Sequence, residues 1–348
     1  MKELNNPFVV YGYKGAAYFC DREEETEKIV KGLSNERNIT LIAPRRIGKT
    51  GLIHHVFARI KEQQPEICCI YFDILSTKTL EQFVQLMARN VLGRLDTPSQ
   101  TALRKVQDFF SAFRPTMTFD ANTGMPTFSL DVAKSQEEMS LQRIFEYLKQ
   151  SNKRCYIAID EFQRIADYEE KNVEAVLRSR IQFMQNTRFI FSGSERSILS
   201  QMFGSASRPF YQSAATMSLL PIEKSVYAAF AQGLFEAYGK QLDAAAVEDL
   251  YDLVQGYTYY LQRSMNTIFS LLPSRAVCDK DFLFGRIEEI LTANTNSYQD
   301  LLSGLTPNQR ALLTAVAVEG KAVNITSSAF IRKHGIGSVS SVQSAARS

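Results

Sequence analysis

Ile39-Thr40-Leu41-Ile42-Ala43-Pro44-Arg45-Arg46-Ile47-Gly48-Lys49-Thr50-Gly51 joins two patterns through a tight turn. Residues 38–43 are a short apolar run rich in β-branched side chains, which predicts a buried strand. From Lys49 to Gln63 the apolar residues fall at Leu52, Ile53, Val56, Phe57 and Ile60, the spacing of one helix face. The turn between them fits the phosphate-cradling pattern G-x-x-x-x-G-K-[ST], with Ala43 in the place of the first glycine. Successive backbone N–H groups must curl around phosphate oxygens there, and Gly48 lets the backbone approach closely. A helix starting at Lys49 adds the positive end of its dipole. Lys49 is placed to reach the outer phosphates, and the Thr50 hydroxyl is a ligand for Mg²⁺. The stretch from Ala43 to Gly51 is therefore the first candidate binding site. The bland alternative is a chance turn between strand and helix.

Outward from this loop, apolar runs and helical periods alternate. Strands are predicted at 67–73, 154–159, 188–192 and 215–220, and helices at 78–94, 137–150 and 172–185. This alternation predicts an α/β fold with a parallel five-stranded sheet covered on both faces. Residues 95–135, with Pro98, Pro115 and Pro126, carry no clear period and read as an insertion packed on the body. After Pro221 the pattern is helical at 223–239, 243–255, 258–272 and 280–292, with no convincing strand. Asn294 to Ser297 reads as a polar joint. Thr306-Pro307 then opens a new helix, with Thr306 as N-cap and Pro307 at the first helical position. The expected division is a core over 1–222, a helical lid over 223–295 and a terminal module over 301–348.

The second chemical signal is Asp160-Glu161, at the end of the strand ending near 159. Beside a phosphate-binding loop, such an Asp holds the Mg²⁺ shell and the adjacent Glu polarises an attacking water. One parallel sheet would bring both strand ends to the same edge. Ser192-Gly193-Ser194 closes another strand, and Ser194 is either a polar contact to the terminal phosphate or water, or part of a plain turn. Arg208 precedes the fifth strand. It reads either as an arginine reaching a neighbour's γ-phosphate in an oligomer or as a structural arginine. Arg263, in the helical region, reads either as an arginine reaching over the nucleotide or, the stronger reading, as a structural one.

Composition bounds the remaining classes. The 348 residues exceed one comfortable core, and 45% apolar with 22% charged is ordinary for a soluble globular protein. Apolar runs stop at about six residues, far short of the ~18 that span a bilayer. With no leader-like apolar segment, a cytoplasmic location without membrane contact is expected. Five cysteines without C-x-x-C spacing, and three histidines without zinc-ligand spacing, argue against a metal site built from protein alone. Net charge is +3, and residues 301–348 alone carry five basic residues against Glu319. This is a weak pointer to a polyanionic partner.

Taken together, several motifs resemble an archaeal-type, STAND-class P-loop ATPase related to the AAA+ proteins, of the kind common in Bacteroides-type bacteria. They are Tyr18 to Glu23, Pro44 to Thr50, Asp160-Glu161-Phe162-Gln163, Phe191 to Ser194, Arg208 to Tyr211 and Gly256 to Gln262, in order along nearly the whole chain. The resemblance implies ATP with Mg²⁺, a helical lid after the core and a winged helix last. It also implies that the segment from Phe19 through Arg22 to Glu25 lies on the adenine side. Residues 306–319, 327–334 and 338–348 suit a helix-turn-helix whose third helix offers Ser340, Ser341, Gln343 and Arg347 to a major groove. The chain stops inside that helix, so the module is expected to be truncated. Two functions follow. One is Mg-dependent ATP hydrolysis by a molecular switch, in a possible homo-oligomer. The other is a nucleotide-dependent regulator that binds DNA or a protein client and hydrolyses little. A P-loop kinase acting on a small molecule is disfavoured by Glu161, the helical lid and the terminal module.

Overall fold

The structure, a computed structural model, describes residues 4–95, 113–119, 126–132, 137–292, 295–320 and 322–347. Contacts divide the chain into two compact units, Met1–Asp279 and Lys280–Ser348.

The first unit is built on five parallel strands: β1 Ile39–Ile42, β2 Cys68–Asp73, β5 Cys155–Asp160, β6 Thr187–Gly193 and β7 Ala215–Ser218. Their order across the sheet is β2-β5-β6-β1-β7. The central strands β1, β5 and β6 are almost wholly buried, whereas the edge strands β2 and β7 are partly exposed. Strands covered on both faces read as unbroken apolar runs, so the central ones stood out in the sequence.

Helices α1 (Glu23–Ser34) and α2 (Lys49–Gln63) cover one face, where Ile29, Leu33, Leu52, Ile53 and Val56 pack on Ile39, Leu41, Ala158 and Ile190. The other face carries α3 (Leu80–Leu95), α4 (Glu137–Gln150), α5 (Val173–Ile181) and α6 (Arg196–Gly204). Their apolar sides meet Ile70, Phe72, Ile157, Ile159, Phe189 and Phe191. Strand residues alternate between these two cores, as the pleat requires.

Between α3 and α4 the described residues form an antiparallel pair, β3 Phe113–Phe119 and β4 Pro126–Val132, in register from Phe113–Val132 to Phe119–Pro126. Sequence reading found no period there, because Pro115 and Pro126 argue against strands. Pro126 is tolerated as the first residue of its strand. Leu95 belongs to α3, and the rest of the 95–135 stretch lies outside the described residues.

After the sheet come α7 (Lys224–Ala237), α8 (Ala244–Leu253) and α9 (Thr258–Leu271). A two-residue parallel pair joins them, β8 Gln241–Leu242 with β9 Val277–Cys278, too short to leave a pattern in the sequence. The N-terminal segment runs across these helices. Phe8 is buried against Phe235 and Phe269, with ring centroids 5.5 and 5.9 Å away. Asn6 Nδ2 donates to the Asn266 carbonyl, and Asn266 Nδ2 donates to the Phe8 carbonyl.

The second unit holds α10 (Lys280–Gly285), α11 (Ile287–Thr292), α12 (Thr295–Ser303), α13 (Pro307–Glu319), α14 (Ser328–His334) and α15 (Val339–Arg347). Helix α12 begins inside the stretch read as a polar joint, whose Asn294 lies outside the described residues. Thr306 caps α13 as expected, in a capping box with Gln309. Leu312, Ala315, Phe330, Ile331, Ile336 and Val342 form a small core that joins α13, α14 and α15. No described helix is long and apolar enough to cross a membrane.

Candidate functional site

The carboxyl ends of β1, β5 and β6 lie side by side, with β6 between the other two. The loop after β1 and the acidic pair ending β5 therefore meet across the end of β6, where Ser192, Gly193 and Ser194 sit. Gly48 is the N-cap of α2 with a φ of 99°, a conformation that favours glycine. Ala43 is absent from the positive-φ positions and is buried. This explains why alanine serves in the place of the pattern's first glycine.

Lys49, 6% exposed, points into the acidic pair. Its Nζ lies 3.1 Å from Asp160 Oδ1 and 3.0 Å from Glu161 Oε1. Thr50 Oγ1 donates to Asp160 Oδ2 at 2.7 Å, and the Tyr71 hydroxyl donates to the same oxygen at 3.1 Å. Ser192 Oγ and the Glu161 backbone N–H donate to Asp160 Oδ1. Glu161 Oε2 accepts from Gln163 Nε2 at 2.5 Å and from Ser194 Oγ at 2.8 Å. Burial pushes both carboxyls up, but the Lys49 charge and these donors outweigh it and hold both below their usual values. Both are carboxylates at neutral pH.

A cleft of about 520 Å³ opens over this group, within the size range of small-molecule sites. Pro44 to Gly51 form its floor, and Val9, Val10, Tyr13, Phe19 and Arg22 line it from the N-terminal side. Phe19 stacks on His55 at 4.4 Å, and Tyr13 OH lies 2.9 Å from His55 Nδ1. A Cβ at position 51 would come within 3.3 Å of the Phe19 ring, so Gly51 makes room for it. Arg22, 4% exposed, is tethered to Glu25 and to the Leu220 carbonyl.

Helix α9 closes the cleft. The Tyr259 N–H donates to the Arg46 carbonyl at 3.0 Å, and Thr258 Oγ1 donates to the Ile47 carbonyl at 3.2 Å. The Arg46 guanidinium lies over the rings of Tyr259 and Tyr260 and bonds the Tyr260 hydroxyl. Arg263 bonds the Tyr259 hydroxyl.

The loop, Asp160, Glu161, Ser194, Phe19 and Arg22 are thus gathered at one site. Arg208 is not among them. It pairs with Glu174 at the start of α5 and does not line the cleft. Sequence reading assigned no role to Tyr71, Tyr13 or His55. Tyr71 lies two residues before the end of β2, a spacing that puts it on the same sheet face as Asp73 and gave no other signal. Tyr13 and His55 meet only through the fold.

A turn of this form, with a buried lysine at the helix start and an acidic strand end opposite, defines a P-loop nucleotide-site architecture. The chain belongs to the family of ATPase domains predominantly from Archaea, whose profile matches residues 19–263. Residues 296–348 match a probable winged helix domain. Among solved structures, the Walker-type ATPase of Pyrococcus abyssi is similar at 18% identity, with a TM-score of 0.62 over 90% of this chain and 83% of that one. The Aeropyrum pernix ORC2 protein, in ADPNP–ADP complexes, gives 14% identity and 0.60 over 90% and 78%. The Aeropyrum pernix ORC1 protein, in complex with DNA, gives 12% and 0.55 over 98% and 86%. At these identities the likeness is one of fold. No curated protein matches the sequence.

Proposed function

We propose that this chain binds ATP with Mg²⁺ and hydrolyses it as a STAND-like molecular switch. The observation that carries this reading is the contact of Lys49 with both Asp160 and Glu161 while Thr50 bonds Asp160. Lys49 and the loop amides bind the phosphates. Thr50 and Asp160 are hard oxygen donors 2.7 Å apart, and no cluster of three metal-binding side chains exists among the described residues. That set suits Mg²⁺, which takes one or two protein ligands and completes its shell with phosphate and water. When bound, Mg²⁺ neutralises charge on the phosphates. Entry of the phosphates draws Lys49 away from Glu161 and leaves Oε1 to accept a proton from water. Gln163 and Ser194 keep the other oxygen fixed.

The test is phosphate release from Mg-ATP. Lys49→Ala should lose nucleotide binding and turnover together. Glu161→Gln should keep ATP binding and lose turnover by roughly 10²–10⁴-fold, the usual worth of a general base. Equal turnover in Glu161→Gln would remove Glu161 from this role.

A second reading is a nucleotide-dependent regulator that binds DNA or a protein and hydrolyses little. The winged-helix match over 296–348 favours it, with Arg332, Lys333 and Arg347 in the last turns of α14 and α15. Glu319 pairs with Lys333 and bonds the His334 ring, which limits the free positive charge. Duplex binding that weakens with salt and changes with nucleotide would support this reading.

A further inference from the structure

Arg45 and Arg46 are consecutive in the loop, yet their side chains go to different partners. Arg46 has a φ of 71°, a left-handed conformation that turns the chain between them. Its guanidinium is taken up by Tyr259 and Tyr260. Arg45 instead lines the cleft beside Lys49, Thr50 and Glu161. Its Nε donates to Ser194 Oγ at 3.3 Å, and that hydroxyl in turn donates to Glu161 Oε2. Arg45 is exposed, and among the described residues it has no carboxylate partner and no other hydrogen bond. The other arginines in question are engaged: Arg22 by Glu25 and a carbonyl, Arg208 by Glu174, and Arg263 by Tyr259. A guanidinium held at the reacting end by one hydroxyl keeps its planar fork for an incoming oxyanion.

We propose that Arg45 is a catalytic arginine acting within its own chain, which binds the terminal phosphoryl group of ATP and stabilises the charge on it during transfer to water. The inference rests on the hydrolysis reading above. In the step, the water oxygen forms a bond to the γ-phosphorus, and the bond from that phosphorus to the β–γ bridging oxygen breaks. ADP leaves with the electron pair, and Glu161 takes the water's proton. Arg45 donates to the equatorial oxygens throughout, where fixed donors act most strongly. No arginine from a second copy is required.

Phosphate release and the affinities for Mg-ATP and Mg-ADP are measured for the wild type, Arg45→Ala and Arg45→Lys. Arg45→Ala should lose roughly 10³-fold or more in kcat, the scale of an arginine finger. It should lose ATP affinity while keeping ADP affinity. Arg45→Lys should recover ATP affinity but not kcat, because an ammonium lacks the bidentate fork. A 1:1 mixture of Arg45→Ala with Lys49→Ala should stay inactive. Activity regained in that mixture would mean the arginine acts between copies and would overturn the proposal. So would a kcat within about twofold of wild type in Arg45→Ala, set against the 10³-fold expectation, or equal losses of ATP and ADP affinity. A wild type that releases no phosphate overturns the hydrolysis reading instead. The ATP-against-ADP comparison then still decides whether Arg45 holds the terminal phosphate.

Discussion

Replacing Gly193 with alanine tests how the proposed base is held. Gly193 ends β6 and has no positive φ, so its backbone does not demand glycine. Space does. A Cβ there would lie 2.0 Å from Gln163 Oε1 and 2.7 Å from Leu199 Cδ1, and both residues are fully buried. Overpacking of this kind costs about 1–3 kcal/mol. Displacing Gln163 also breaks its bond to the Glu161 carboxylate, and a hydrogen bond to a charged group contributes about 1.5–3 kcal/mol. A loss near 3 kcal/mol corresponds to a fall in Tm of roughly 6–12 °C for a unit of this size. Turnover should fall more than ATP affinity does, because Glu161 is misoriented while the phosphate loop is untouched. Thermal melts and phosphate release check both parts. The double variant Gly193→Ala/Gln163→Ala removes the closer clash, with Gln163, and leaves only that with Leu199, so its cost should be about 2 kcal/mol less than the sum of the single changes. Additive costs within about 0.5 kcal/mol would refute the reasoning.

Phe8→Ala removes a buried ring from the contact with Phe235 and Phe269 and should cost about 3–5 kcal/mol in a denaturant melt. It should also weaken nucleotide binding, since Val9 and Tyr13 follow it into the cleft wall; an unchanged melt would exclude this anchoring role. Burial holds His54 and His55 below the usual histidine value of 6.5, against the opposing pull of Asp160 on His54 and of Glu23 and Glu62 on His55. The unfolded chain therefore binds these protons more readily than the folded one. Stability should accordingly decline as pH falls from about 6.5 towards 5, before the low-lying Asp160 and Glu161 titrate. A Tm that is flat over that interval would count against the buried, neutral state of the two rings.

Legibility followed burial and local sequence. Strands β1, β5 and β6 were readable because both faces are covered and, Thr40, Thr187 and Arg188 apart, their residues are apolar until the chemical residue at the end. The loop was readable because Gly48, Lys49 and Thr50 are contiguous. The β3–β4 hairpin was hidden by its prolines, and the β8–β9 pair by its length. Within the site, Arg208 shows the limit of reading by position. Its place before β7 gave no sign of its partner within the chain, which is Glu174, 34 residues earlier. The roles of Tyr71, Tyr13, His55 and Gln163 were invisible for the same reason.

The amino-acid sequence by itself determined the phosphate loop, the acidic strand end, the parallel sheet and the capped helix after Thr306. Each rests on interactions among neighbours in the chain: a turn, an apolar period, a cap. Only tertiary structure decided which side chains share the cleft. Strand order placed β6 between β1 and β5, and that put Ser192 and Ser194 against the two carboxylates. The turn at Arg46 sent one arginine to the helical wall and left its neighbour facing Glu161. Such partnerships join residues 32 to 214 positions apart. Electrostatics and packing at that range depend on distances in space, which the order of residues alone does not contain.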